Sequence, residues 1–310
     1  MMAGTSERVV SKVAVLMGGL SAEREVSLSS GRECAKALRE AGYQVVEVDC
    51  GPDLALRLSE VKPDVAFNAL HGRIGEDGAI QGMLEVLGVP YTHSGVLASA
   101  LAMDKPTAKK IFERAGIRCT EGRVMSRADF RNGEAPTPPF VVKPLNEGSS
   151  VGVRVVLEGD NNRPLDDTWD FGDRVLVENY VPGREVTVAV LGDRALGVTE
   201  IRSTHRFFDY GAKYEKGEAV HLLPAPLPKN TYDEALDTAL SAHVSLGCRG
   251  LSRADFRYND TVGDGTLYLM EVNTQPGLTP VSLAPEIAAH AGIDFGDLVE
   301  WLVGDAGCGR

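Results

Sequence analysis

The sequence predicts an α/β domain built on a parallel sheet, followed by an α+β region of antiparallel strands. Three observations carry that expectation. Before about residue 100, short apolar runs alternate with helical stretches, the pattern of a parallel βα succession. Composition changes near residue 100, and between residues 140 and 191 apolar runs follow one another with turn residues between them. Near the C-terminus, residues 251–257 and 267–273 flank a segment rich in turn formers, the mark of a hairpin.

Each element follows in order. Lys12-Val-Ala-Val-Leu-Met is a short apolar run that enters Gly18-Gly19, as a buried strand enters a glycine turn. A helix is expected from Ser21, ending near Gly42, with strands at residues 43–48 and 64–70. His71-Gly72 closes the second of these. Ligand groups in parallel sheets gather at the carboxyl ends of strands, and Glu23 and His71 both fall there. His71 equally fits a structural histidine at a turn. Met103-Asp-Lys105-Pro106 opens a basic helix, with proline in its first turn. Phe140-Val-Val-Lys143-Pro144 is a strand carrying a lysine near its end, and residues 146–152 form a small-residue loop before a strand at 153–157. A polar connection spans 158–173, and strands at 174–178 and 184–191 bracket the turn Pro182-Gly183. Residues 202–217 are charged and aromatic without periodicity; a loop this long is expected to be a lid. A helix at 231–246, the hairpin, a final helix from about Pro285 and a glycine-rich tail of no evident use complete the chain.

The chain has 310 residues, enough for two or three domains. Hydrophobic residues make up 43% and charged residues 25%, the balance of a soluble globular protein with a substantial core. A net charge of −12 argues against nucleic acid or an anionic membrane as partner, although local basic residues can still surround a small anion. The five cysteines form no Cys-x-x-Cys pair and are scattered, which points to a reduced, cytoplasmic setting. The N-terminus has no signal-peptide apolar core, and no apolar run approaches the ~20 residues of a membrane helix.

The hairpin carries the chemistry. Side chains alternate along a strand, so Arg253 and Asp255 share a face, as do Glu271 and Asn273. A register centred on the intervening turn sets Asp255 opposite Glu271 and Arg253 opposite Asn273. Two carboxylates and an amide make an oxygen-only cage suited to Mg²⁺, and the adjacent arginine can hold an oxyanion or phosphoryl group. The same pattern also fits a solvated hairpin face on which acids and arginine merely pair. The loop Gly148-Ser149-Ser150-Val-Gly152 can turn backbone N–H groups toward phosphate, and Lys105 and Lys143 could screen a triphosphate. Taken singly, each is a small-residue turn or a surface lysine; together with the acid–acid–amide set they point to ATP with Mg²⁺. P-loop, dinucleotide-binding, zinc-protease and serine-hydrolase signatures are all missing.

Along nearly its whole length the chain resembles the D-alanine–D-alanine ligase family of the ATP-grasp superfamily. The residues that carry the resemblance are Met17-Gly-Gly-Leu-Ser-Ala-Glu23-Arg-Glu, Ala69-Leu-His71-Gly-Arg-Ile-Gly-Glu-Asp-Gly and Met103-Asp-Lys105. They continue through Val142-Lys143-Pro, Glu147-Gly-Ser149-Ser150-Val-Gly, Tyr210-Gly-Ala-Lys213-Tyr214, Arg253-Ala-Asp255 and Glu271-Val-Asn273-Thr-Gln-Pro-Gly277. The resemblance implies an N-terminal α/β domain of the preATP-grasp type over residues 1–101. Two α+β subdomains, 102–189 and 190–310, would then clasp ATP. It implies formation of D-alanyl-D-alanine through an acyl phosphate, with release of ADP and phosphate, for peptidoglycan synthesis. A homodimer is expected on the same ground.

The resemblance also implies roles. Glu23 would hold the ammonium of the first D-alanine, with His71 nearby. Lys105 and Lys143 would bind ATP phosphates, under a loop carrying Ser150. Glu178, Val181 and Phe207 would meet adenine, and Glu185 the ribose. Lys213 would steady the phosphoryl group in flight. Asp255, Glu271 and Asn273 would hold two Mg²⁺ (or Mn²⁺) ions. Arg253 and the backbone N–H of Gly277 would form an oxyanion hole. Ser282 would bind the second carboxylate, and Ser149, Tyr214 and Glu23 would form a hydrogen-bonded set. Tyr214 favours D-alanine over D-lactate as second substrate. Gln275 and Asn179 depart from common family residues, and either could alter nucleotide affinity. The alternatives are a ligase for another carboxylate or second substrate, and a nucleotide-binding relative without turnover.

Overall fold

The computed structural model describes residues 10–146, 152–159, 172–203, 219–261, 263 and 265–309. Among these the chain forms three sheets. The first is parallel, in the order β2 (Gln44–Asp49), β1 (Lys12–Met17), β3 (Val65–Asn68). β1 lies in the middle and is buried on both faces, which explains its unbroken apolar run. Gly18 and Gly19 take positive φ as the chain turns from β1 toward α1 (Arg24–Glu40). Val26, Ser30, Cys34 and Leu38, spaced four residues apart, form the buried stripe of α1. The sequence reading did not single out three further helices here: α2 (Leu54–Val61), α3 (Ala79–Leu87) and α4 (Val96–Met103). The expected division at 101/102 falls inside α4.

α5 (Lys105–Arg114) begins at Asp104, whose carboxylate accepts from the Thr107 N–H at 2.9 Å. The second sheet is antiparallel and comprises β4 (Gly122–Ser126), β5 (Phe140–Pro144), β6 (Arg154–Val156) and β7 (Arg174–Asn179), in the order β4-β7-β5-β6. α6 (Arg127–Arg131) follows β4 and starts in a capping box formed by Ser126 and Asp129. Phe140, Val142, Val175 and Val177 face this sheet's own small core with Met125 and Phe130. Val141 pairs with Glu178 and Lys143 with Leu176, so Lys143 and Glu178 lie together on the opposite face.

The third sheet comprises β8 (Arg184–Leu191), β9 (Arg194–Ser203), β10 (Ala219–Leu222), β11 (Leu251–Asn259) and β12 (Thr266–Asn273), in the order β10-β9-β8-β11-β12. The expected division at 189/190 falls inside β8, and the whole of that strand pairs within this sheet. α7 (Lys229–Leu246) lays Ala235, Ala239 and Ala242 against Val186, Val188 and Phe256. On the other side, α8 (Leu283–His290) and α9 (Phe295–Asp305) place Ile287, Leu298 and Leu302 in one core with Val13, Leu38, Phe67 and Leu251. That core joins the parallel domain to the third sheet.

Two expectations near the C-terminus are corrected. The single final helix is two helices, because Gly292 at positive φ ends one and Asp294 caps the next. The tail after Asp305 has a use: Gly307 bridges Tyr91, its carbonyl accepts from Arg249 at 2.7 Å, and the Gly309 N–H reaches Glu85.

Candidate active site

The β11–β12 hairpin sets Asp255 opposite Glu271 and Arg253 opposite Asn273, as expected. The route to this register differs from a simple centred turn. On the turn side Phe256 pairs with Leu269, and a bulge between Asp255 and Phe256 then shifts the pairing by one residue. Without it Asp255 would face Met270, and Glu271 would turn to the other side of the sheet. The bulge therefore brings the two acids onto one face.

Each acid has a cation beside it. Arg253 donates to both Asp255 oxygens, from Nε at 2.8 Å and Nη2 at 2.7 Å, and the Thr187 hydroxyl donates to the same carboxylate at 2.6 Å. Lys105 Nζ lies 3.5 Å from Glu271 Oε2. Asn273 Oδ1 accepts from the Gln275 N–H at 2.8 Å. Among the described residues no three His, Cys, Asp or Glu gather as a metal group, so the candidate set is two acids and an amide. These oxygen donors are hard, share a face and remain partly exposed, which fits Mg²⁺.

Lys143 and Glu178 meet on the inner face of the second sheet at 2.7 Å. Two residues join them. Lys109 forms a buried ion pair with Glu178 and donates to Thr120, whose hydroxyl donates to Glu178 at 2.9 Å. Burial alone would raise the Glu178 carboxyl, but Lys143 and Lys109 outweigh it and hold the group down to about 2. Burial lowers the Lys109 ammonium despite its partner. Val181 and Glu185 meet at Arg257, which donates to the Val181 carbonyl at 3.2 Å and lies 3.8 Å from Glu185.

The third group sits at the carboxyl end of the parallel sheet. Glu23, His71 and Glu76 are all buried. Gly72 lies at φ +68°, and a Cβ there would fall 2.7 Å from Glu23 Oε2. Glu76 accepts from the Gly72 N–H at 2.9 Å. Burial first, and then the Glu23 charge, push the Glu76 carboxyl up to about 8. Burial lowers the His71 imidazole against the pull of Glu23. Ser30 ties this group to the third sheet: its hydroxyl lies 3.2 Å from His71 Nε2 and accepts from the Leu278 N–H at 3.2 Å. Beyond Leu278, Ser282 Oγ accepts from the Thr279 N–H at 3.0 Å and would lie 2.9 Å from a Cβ on Gly277.

Ser149, Ser150, Phe207, Lys213 and Tyr214 lie outside the described residues, as do the expected phosphate loop and most of the expected lid. The site contains residues that the sequence reading passed over: Ser30, Glu76, Lys109, Thr120 and Thr187. Lys109 had a signal, since it stands one helical turn from Lys105 and shares its face. Gln275 and Asn179 occupy different surroundings. Asn179 is exposed and bonds Glu121, while Gln275 is buried beside Asn68 and Leu70, at the carboxyl end of the parallel sheet.

A parallel α/β domain, two antiparallel sheets behind it, and acids, amide and lysines gathered from them define an ATP-grasp enzyme. Family models agree with that class: the D-ala D-ala ligase C-terminus matches residues 111–304, and the D-ala D-ala ligase N-terminus matches 54–94. A D-alanine–D-alanine ligase of Paramagnetospirillum magneticum is 59% identical, over 96% of this chain and 99% of the relative. One of Methylorubrum populi is 57% identical with the same coverage. Among solved structures, the Bacillus anthracis D-alanine–D-alanine ligase complexed with ATP is 32% identical. It covers 96% of this chain and 97% of its own, with a TM-score of 0.79. The Enterococcus faecalis VanG D-Ala:D-Ser ligase is 29% identical, covers 95% and 99%, and has a TM-score of 0.77. The chain belongs to the D-alanine–D-alanine ligase family. No helix among the described residues is long and apolar enough to cross a membrane.

Proposed function

We propose that this protein uses ATP to join two D-alanine molecules into D-alanyl-D-alanine for cell-wall synthesis. The observation that supports the reading most is the hairpin register, which sets Asp255, Glu271, Asn273 and Arg253 on one face. In this reading Glu23 holds the first ammonium beside a neutral His71, and the first carboxylate takes the γ-phosphoryl group. Lys105, Lys143 and the loop of Ser150 hold the phosphates, while Glu178, Val181, Phe207 and Glu185 line the nucleoside side. Lys213 steadies the transferring group. Asp255, Glu271 and Asn273 fit two Mg²⁺ ions (Mn²⁺ has the same donor preference), which when bound neutralise charge on the phosphates. The second amine passes a proton to the hydrogen-bonded set of Ser149, Tyr214 and Glu23 and attacks the acyl carbon. Arg253 and the Gly277 N–H stabilise the tetrahedral oxyanion, Ser282 holds the second carboxylate, and phosphate leaves. This family reading takes residues 1–101 as the amino-acid side, with 102–189 and 190–310 as the clasp. It also takes the protein to be a cytoplasmic homodimer.

The metal assignment is tested with Asp255→Asn and Glu271→Gln, which keep shape and remove charge. Each is expected to raise the Mg²⁺ concentration needed for half-maximal turnover by tenfold or more while the protein stays folded. An unchanged Mg²⁺ dependence in both would remove these residues from the metal site.

A further inference from the structure

We infer that Gln275 is a positioning residue for ligation: it fixes the His71 loop against the turn that follows the metal-ligand strand. The inference rests on the ligase reading, which places the first amino acid beside His71. Gln275 is buried and bonds in three directions. Its Oε1 accepts from Asn68 Nδ2 at 2.8 Å, and its Nε2 donates to the Leu70 carbonyl. Its own N–H donates to Asn273 Oδ1 at 2.8 Å. One residue thus touches a candidate metal ligand and the backbone just before His71, a candidate substrate-side histidine. Gly277 follows two residues later.

Asn68 shows that the contact is built rather than incidental. It is fully buried at the end of β3, and both its side-chain oxygen and nitrogen are used. Nδ2 donates to Gln275 and to the Gly75 carbonyl at 3.0 Å, and Oδ1 accepts from the Leu70 N–H at 3.2 Å. Gln81 donates to the same Gly75 carbonyl at 3.0 Å. A buried amide pair held by several bonds is geometrically demanding, because a slip leaves a buried donor or acceptor without its partner. Asn68 and Gln275 are 207 residues apart in sequence, so this demand falls on the spacing between the parallel domain and the third sheet. Ser30 makes a second bridge, from His71 to the Leu278 N–H. Phosphoryl and acyl transfer need the carboxylate held in a narrow geometry relative to the phosphate, and this linkage holds the two walls at one separation.

Two variants test this. Gln275→Met keeps length and removes both side-chain bonds; Gln275→Glu keeps the acceptor for Asn68 and removes the donor to Leu70. The measurements are the D-alanine and Mg²⁺-ATP Michaelis constants, kcat, melting temperature, and the ¹⁵N signal of the His71 ring. Gln275→Met is expected to raise the first-site D-alanine KM and lower kcat, each by tenfold or more, with the ATP KM within twofold. Gln275→Glu is expected to fall between it and the wild type, and the His71 signal to shift in both. D-alanine constants within twofold of wild type, or D-alanine and ATP constants that worsen together with loss of folded protein, would overturn the inference. If wild-type enzyme shows no turnover with D-alanine, the ligase reading fails first. An unmoved His71 signal in the variants would then sink the positioning role as well.

Discussion

Glu178 offers a stability test of the buried ion cluster on the second sheet. Its carboxylate is 1% exposed and is shared by Lys143, Lys109 and the Thr120 hydroxyl. Glu178→Gln keeps the shape and leaves two buried ammonium groups facing a neutral amide. The gap between the ordinary glutamate value of 4.5 and the folded-state value of about 2 corresponds to roughly 3 kcal/mol. Breaking a buried ion pair from one side costs about 3–5 kcal/mol by a separate route. The sign follows from the direction of the shift. A depressed carboxyl stabilises the fold above 4.5, and that contribution is lost as pH falls through 4.5 toward 2. Urea unfolding at neutral pH should therefore find Glu178→Gln less stable by ~3 kcal/mol. The difference should shrink as the pH is lowered below 4.5. Adding Lys109→Met should recover part of the loss, because one stranded cation is then gone. A difference under ~1 kcal/mol, or one that is the same at both ends of the pH range, would refute the reasoning.

Two further predictions concern the buried group of Glu23, His71 and Glu76. Gly72→Ala places a methyl group 2.7 Å from Glu23 Oε2 at a backbone φ of +68°, so the Glu23 carboxylate must move. Stability should fall by about 1–2 kcal/mol, read by thermal unfolding, and the D-alanine KM should rise severalfold with the ATP KM unchanged. Glu76→Gln keeps the acceptor for the Gly72 N–H and removes a group whose folded-state value is about 8. A raised carboxyl favours the fold below 4.5 and loses that advantage as pH rises toward 8, so the variant should be the more stable protein in alkaline buffer. Parallel pH–stability curves for Glu76→Gln and wild type would contradict the raised carboxyl.

Much of this architecture was legible from period and turn chemistry. The β1 run and the glycines after it, Pro106 in the first turn of α5, and the strands at β5, β7 and β8 stood where local pattern placed them. The hairpin partners were legible because alternation puts Arg253 with Asp255 and Glu271 with Asn273. The bulge that makes those pairs possible was not, since it depends on how the turn side of the ladder registers. α4 escaped because it is nearly all apolar and has no polar face to give a helical period. Glu76 lies within one of the family motifs, yet the rise of its carboxyl comes from burial and the Glu23 charge, which spacing does not reveal. Gln275 departs from the common family residue, which suggests an effect on nucleotide affinity; only the fold brings it to Asn68 and Leu70.

The most direct test of the ligase account measures phosphate release and dipeptide from Mg²⁺-ATP with D-alanine, L-alanine, or D-alanine plus D-lactate or D-serine. Wild type is compared with Arg253→Ala. The account predicts D-alanyl-D-alanine formed in step with phosphate from D-alanine alone, no product from L-alanine, and little activity in Arg253→Ala. Bound ATP without phosphate release under any of these conditions would contradict it and favour a nucleotide-binding relative without turnover. Product mainly from D-alanine with D-serine or D-lactate would keep the chemistry and overturn the second substrate.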